Sequence, residues 1–210
     1  MPIFALSDKM KNVTNTYKSN LLILLLAVIL LASCKSISDI SPLGPADQTK
    51  EAGEIVKSAN EDLQKIKVLY EANENMRLEL KQALETSNAE QVRDISERVI
   101  KLIADGTSFA KQALNKIKEA RDMNVNENYQ EYLRLKEESL KRQLEAFEHY
   151  RLAAESLKAN YDPKNEEKRA KVTSEFKDRS ERYAAIMEKA RSYSYQANEL
   201  YKDVMQGKTE

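Results

Sequence analysis

Cys34 and His149 are the side chains of this sequence best equipped for chemistry, and each residue type occurs once. A thiolate is a strong nucleophile and a soft metal ligand, and an imidazole is the usual general base. Their solitude removes most of what they do elsewhere. One cysteine excludes an intrachain disulfide, a cysteine-based metal cage and a Cys-x-x-Cys-His haem attachment. A di-iron bundle needs Glu-x-x-His on two helices, whereas this chain reads Glu145-Ala146-Phe147-Glu148-His149, with alanine three before the histidine. A Ser/His/Asp triad would have to use His149, and no Gly-x-Ser-x-Gly turn accompanies it. The four glycines, at 44, 53, 106 and 207, are too scattered for a phosphate-binding loop. Carboxylates are plentiful but alternate with Lys and Arg. Pairs such as Glu61 with Lys65 and Glu137 with Lys141 therefore read as solvated helix-surface pairs, worth about a few tenths of a kcal/mol. His149 reads as a surface or stripe-edge residue of an amphipathic helix. The expectation is a non-enzyme with no catalytic residue, no cofactor and no metal.

The setting of Cys34 is more informative than its reactivity. Residues 21–31 read Leu-Leu-Ile-Leu-Leu-Leu-Ala-Val-Ile-Leu-Leu, without one polar side chain. As a helix this run would measure about 16 Å, half a bilayer core and the size of the apolar part of a signal peptide. Lys9, Lys11 and Lys18 precede it, the positive segment expected ahead of such a run. The leader is longer than usual, so Met10 is a candidate start. Directly after the run stands Leu31-Ala32-Ser33-Cys34. This tetrapeptide resembles the lipobox of bacterial lipoproteins. The resemblance implies cleavage after Ser33, a diacylglycerol on the Cys34 sulfur and acylation, commonly with palmitate, of the new amine. Several acyl chains, at about 0.8 kcal/mol per buried methylene, anchor a protein durably. Lys35, rather than Asp, follows the cysteine, which resembles the lipoproteins sorted to the outer membrane over those kept in the inner one. The alternatives are an ordinary signal peptide with an incidental cysteine, or a short apolar anchor left uncleaved.

Composition bounds the rest. Of 210 residues, 4 are Gly, 4 are Pro and 32% are charged, a profile of long helices with few turns. A hydrophobic share of 41% suffices for a core. Thirty-four basic residues balance 34 acidic ones. Without residues 1–33 the balance is about −2, not the basic excess of a nucleic-acid binder. Residues 34–45 hold three serines, two prolines and a glycine after Lys35, a flexible tether with a reach of roughly 18 Å.

From residue 46 onward, apolar residues recur at alternating steps of three and four, which places them on one face of a helix. Four helices are predicted, over 46–85, 88–122, 127–160 and 163–206. Their stripes include Val56, Leu63, Ile66, Tyr70 and Leu80 in the first and Val92, Ile95, Val99, Gly106 and Phe109 in the second. Leu133, Leu140, Phe147, Tyr150 and Leu157 follow in the third, and Phe176, Tyr183, Met187, Ala190 and Ala197 in the fourth. Ser87-Asn88-Ala89-Glu90 has the form of a capping box, Asn124-Val125-Asn126-Glu127 offers a similar start, and Asp162-Pro163 supplies a cap followed by proline. Short connections make consecutive helices antiparallel. The fold predicted for residues 46–210 is all-α, an elongated, coiled-coil-like, up-down-up-down antiparallel four-helix bundle. Two hairpins that dimerise, or a flat hairpin array, are the alternatives, since Asn73, Arg77, Lys136 and Gln143 interrupt the apolar seam. Gly106 marks a close crossing or a kink.

Among the tyrosines, Tyr129, Tyr150, Tyr161, Tyr183 and Tyr201 are expected to fill the bundle. Tyr132 and Tyr195 fit their stripes less well and are the candidates for exposed contact. The functional expectation is a lipid-anchored, non-enzymatic envelope protein on the membrane through Cys34. It would bind or space another macromolecule, an envelope protein or a second copy of itself, and no nucleic acid. The alternative is a carrier of an apolar ligand, with space left by Ala59, Gly106, Ala113, Ala190 and Ala197.

Overall fold

The computed structural model describes residues 46–205. Cys34, the leader and the tether lie outside the described residues. From Asp47 onward the described residues form one compact unit with its own core. That unit is a four-helix bundle: α1 (Thr49–Glu85), α2 (Ala89–Arg121), α3 (Glu127–Asn160) and α4 (Glu166–Met205). At 1.5 Å per residue they run about 50 to 60 Å. Cross-helix contacts fix the up-down-up-down direction. Lys116 of α2 meets Asp62 of α1, Lys158 of α3 meets Glu97 of α2, and Ser156 and Ser139 of α3 meet Glu175 and Ala190 of α4.

Local chemistry explains the breaks. α1 ends in a Schellman turn: the Ser87 amide donates to the Leu84 carbonyl and the Asn88 amide to that of Ala83. Ser87 pays for this with a φ of +53°, the left-handed region that glycine occupies freely. The cap of α2 is consequently Asn88, whose Oδ1 accepts from the Gln91 amide, rather than the Ser87 of the expected capping box. Asn126 caps α3 by accepting from the Tyr129 amide at 2.9 Å. Before α4, Asp162 forms a turn by accepting from the Lys164 amide, and Asn165 caps the helix by accepting from Lys168. The start of α4 therefore lies three residues beyond the expected Pro163. The first turn of α1 is tied to the α2–α3 connection. The Gln48 amide donates to the Asn124 carbonyl at 2.7 Å, Gln48 Oε1 accepts from the Asn124 amide, and Thr49 Oγ1 accepts from the Asn126 amide.

Small residues let the helices approach. Ala52, Ala59 and Ala83 of α1, Ala110, Ala113 and Ala120 of α2, and Ala146, Ala153 and Ala154 of α3 are fully buried. Larger side chains such as Val92, Val99, Ile117, Leu133, Leu140 and Leu157 fill the seam between them. A Cβ on Gly106 would meet the Phe147 ring at 3.5 Å, so this glycine marks a close approach of α2 and α3. Two carboxylates are buried in the interfaces, contrary to the expectation that acidic groups stay solvated. Asp62, 2% exposed, accepts from Lys116 across α1–α2 and from Lys65 on its own helix. Burial alone would raise its carboxyl, but the hydrogen bonds from Lys116 and Lys65 hold it below the usual carboxylate range. Lys65 thus pairs with Asp62 rather than with Glu61. Glu137, 3% exposed, pairs with Lys141 as expected but also receives Arg121 from α2. Helix packing follows chain order, α1 on α2, α2 on α3 and α3 on α4. The closing pair, α1 and α4, has no comparable interface.

Candidate ligand groove

Because α1 and α4 do not close against each other, a groove opens between them with α3 as its floor. Its space is about 260 Å³. α1 contributes Leu63, Ile66, Lys67 and Tyr70, and α4 contributes Met187, Arg191 and Ser194. Lys136, Ser139, Leu140, Gln143 and Phe147 line it from α3. The walls are chiefly apolar, as in small-molecule sites, with a few polar groups set among them. The Ser139 hydroxyl donates to the Ala190 carbonyl at 2.8 Å, which fixes α4 on the floor helix. One hydrogen bond spans the opening among the described residues: the Arg191 guanidinium donates to the Tyr70 hydroxyl at 2.8 Å. The same guanidinium lies over the Tyr70 ring.

Lys136 is the cation set deepest in this groove. Its Nζ donates to Asn60 Oδ1 at 2.9 Å and lies over the Tyr132 ring, 5.5 Å from its centre. No carboxylate among the described residues pairs with it. Burial pulls its ammonium down to about 8, which still leaves it charged at neutral pH. This differs from Lys116 and Arg121, whose inward-facing charges are met by Asp62 and Glu137.

Behind the groove lies a second, far smaller space of about 20 Å³. It shares Ile66, Tyr70 and Phe147 with the groove and is bounded also by Asn73, Ile103, Gly106, Tyr150 and Tyr183. Asn73 Oδ1 and the Tyr150 hydroxyl are buried there without a protein partner, and the space is large enough for a single water. Tyr150 stacks on Tyr183 at 5.0 Å, and burial raises both phenols above their ordinary range.

The expected contact tyrosines part company. Tyr195 is 66% exposed on α4. Tyr132 is 4% exposed, because the end of α4 lies along the start of α3 and packs the Tyr201 ring against it at a tilt. Tyr129 closes its other side at 5.2 Å, and burial pushes the Tyr129 phenol up to about 12. Tyr201, expected inside, is the exposed cover. The small residues expected to leave a cavity do not line the groove: Ala59, Ala113, Ala190 and Ala197 are spent on close helix contacts, and only Gly106 borders the inner space. Lys136 and Gln143 were visible in sequence as polar interruptions of the α3 stripe. Lys67 and Arg191 carried no such mark, since each stands on the polar side of its own helix. His149 is half-buried on α3, away from the groove lining, with Nδ1 unpartnered.

Among the described residues no three of His, Cys, Asp and Glu are grouped to hold a metal ion. No described helix is long and apolar enough to cross a membrane. Comparison of the chain with known protein families, with curated proteins and with solved structures finds no match.

Proposed function

We propose that this chain is a lipid-anchored protein of the bacterial cell envelope whose helical body is a non-enzymatic binding module, carrying an apolar ligand in the α1–α3–α4 groove. The observation that carries the reading is the open edge between α1 and α4. It leaves Leu63, Ile66, Leu140 and Met187 lining a space that a closed bundle would have filled. Anchoring rests on Leu31-Ala32-Ser33-Cys34, and Lys35 favours the outer membrane. A groove for a ligand is favoured over the spacing of macromolecules. Beyond Tyr195, the large exposed apolar residues among the described ones are Val68, Leu78 and Tyr201, and apolar side chains scattered singly are ordinary on a protein surface.

Native mass spectrometry of residues 35–210, purified without detergent, tests the binding role. A co-purified small molecule, or saturable uptake of a neutral apolar dye, is expected. Met187→Glu, which sets a charge on the half-buried groove wall, should abolish uptake with helicity unchanged. Uptake that Met187→Glu leaves intact would refute the groove as the site. Anchoring is tested separately: labelled palmitate should enter the full-length protein in cells, and Cys34→Ala should release it from the membrane fraction.

A further inference from the structure

Resting on the groove reading, we infer that the ligand is a single-chain amphiphile with an anionic head, its carboxylate at Lys136 and its chain running along α3 toward Phe147. Charge segregation is the first argument. The chain as a whole has as many acidic as basic residues, yet the groove lining has Lys67, Lys136 and Arg191 and no carboxylate. Lys67 and Lys136 form no ion pair among the described residues. At both neighbouring interfaces an inward cation is answered by a buried carboxylate, as Lys116 is by Asp62 and Arg121 by Glu137. Lys136 has only the neutral oxygen of Asn60. A partly buried cation with no counter-ion is costly to keep, and an anion arriving with the ligand supplies what the protein omits.

The layout of the groove sets the rest of the ligand. Lys136 and Phe147 are eleven residues apart on α3, about 16 Å along the axis. Ser194 and Leu63 flank the Lys136 end, while Tyr70, Met187 and the Phe147 ring form the other. The far end is bounded chiefly by rings and Met187, with the Arg191 guanidinium held on Tyr70 at its edge. Arg191 donates to the Tyr70 hydroxyl and pairs with Glu188, so its charge is already engaged, and Lys136 is left as the cation of the groove that is both partly buried and without a counter-ion. A space of about 260 Å³, just under the roughly 300–1,000 Å³ of ordinary ligand pockets, suits one short chain rather than a two-chained lipid.

Isothermal titration of residues 35–210 with decanoate, decanol and decyltrimethylammonium, all below micelle-forming concentrations, tests this. Decanoate should bind one to one, and at least about tenfold more tightly than either analogue, the effect of a charge-assisted hydrogen bond. Lys136→Gln should weaken decanoate by at least about tenfold and leave decanol unchanged, while Lys136→Arg restores most of the difference. Equal binding of the three ligands, or an indifferent Lys136→Gln, overturns the anionic head and leaves an apolar groove standing. No binding of any of them removes both readings. Uptake of several equivalents means detergency and overturns the proposal. So does decanoate binding that appears only when residues 35–46 are removed, since the groove then belongs to Ile37, Ile40 and Leu43 of the chain itself.

Discussion

Replacing Lys136 by Met should make the ligand-free protein more stable. Burial lowers the Lys136 ammonium from 10.5 to about 8. At 1.36 kcal/mol per pH unit, that difference corresponds to a cost of up to about 3 kcal/mol for holding the charged form in the fold. Methionine keeps the unbranched stem and removes the charge. It also gives up the hydrogen bond to Asn60 and the contact with the Tyr132 ring, together worth about 1 to 2 kcal/mol. The net gain at pH 7 is about 1 to 2 kcal/mol, or roughly 2 to 8 °C in Tm for a domain of this size. The pH dependence distinguishes this cause from better packing. Below pH 8 the lysine is charged in both the folded and unfolded chain, so its cost is present in full. As pH rises from 8 toward 10.5 the folded state releases the proton first and the cost disappears. Urea titrations followed by helical circular dichroism at pH 7 and pH 9.5 measure both quantities. The advantage of Lys136→Met should shrink by most of its value at the higher pH. A variant less stable than the parent at pH 7, or an advantage that does not change with pH, would refute the reasoning.

Other consequences are equally direct. Ser87→Gly should stabilise the bundle by about 0.5 to 1 kcal/mol, because the left-handed φ of Ser87 costs an L residue about 1 to 2 kcal/mol and glycine returns part of that gain as chain entropy; a chemical-denaturation midpoint reads it. Gly106→Ala should be tolerated and should raise Tm, since the added Cβ meets Phe147 at an ordinary 3.5 Å while helix propensity improves by about 1 kcal/mol. Asp62→Asn should cost about 2 kcal/mol by leaving the Lys116 charge without its partner. It should also flatten the acid limb of the stability curve. Asp62 is held below its ordinary value, so its contribution is complete above about pH 4 and is lost as pH falls through its lowered folded value; urea midpoints from pH 5 down to 2 check this.

The four helices were legible because each stripe is long and regular, and because Asn88 and Asn126 are side chains that bind helix amides wherever they stand. All four predicted helices therefore lie within three residues of those found. The first and fourth each begin three residues late, the fourth because Asp162 used its carboxylate on a turn, a competing role open to any aspartate before proline. Tyr132 was misplaced for a different reason. Its neighbours Tyr129 and Tyr201 come from two helices, and the periodicity of α3 alone holds no information about the end of α4. The groove was illegible for the same reason. Periodicity says which residues face inward, but the open edge depends on which of four helix pairs stays apart. Lys136 was seen as a flaw in a seam, and only the absence of a facing carboxylate turns that flaw into a candidate receptor.

The link between Gln48, Thr49 and the α2–α3 connection has a mechanical consequence. A helix end usually frays, and α1 begins where the preceding chain would deliver any pull. Here tension arriving ahead of Asp47 meets several hydrogen bonds at once, to the backbone of Asn124 and to the backbone and side chain of Asn126. Force is passed sideways into the turn that joins α2 to α3 instead of peeling α1 away from its first residue. A body tethered at this end can be tugged without unzipping.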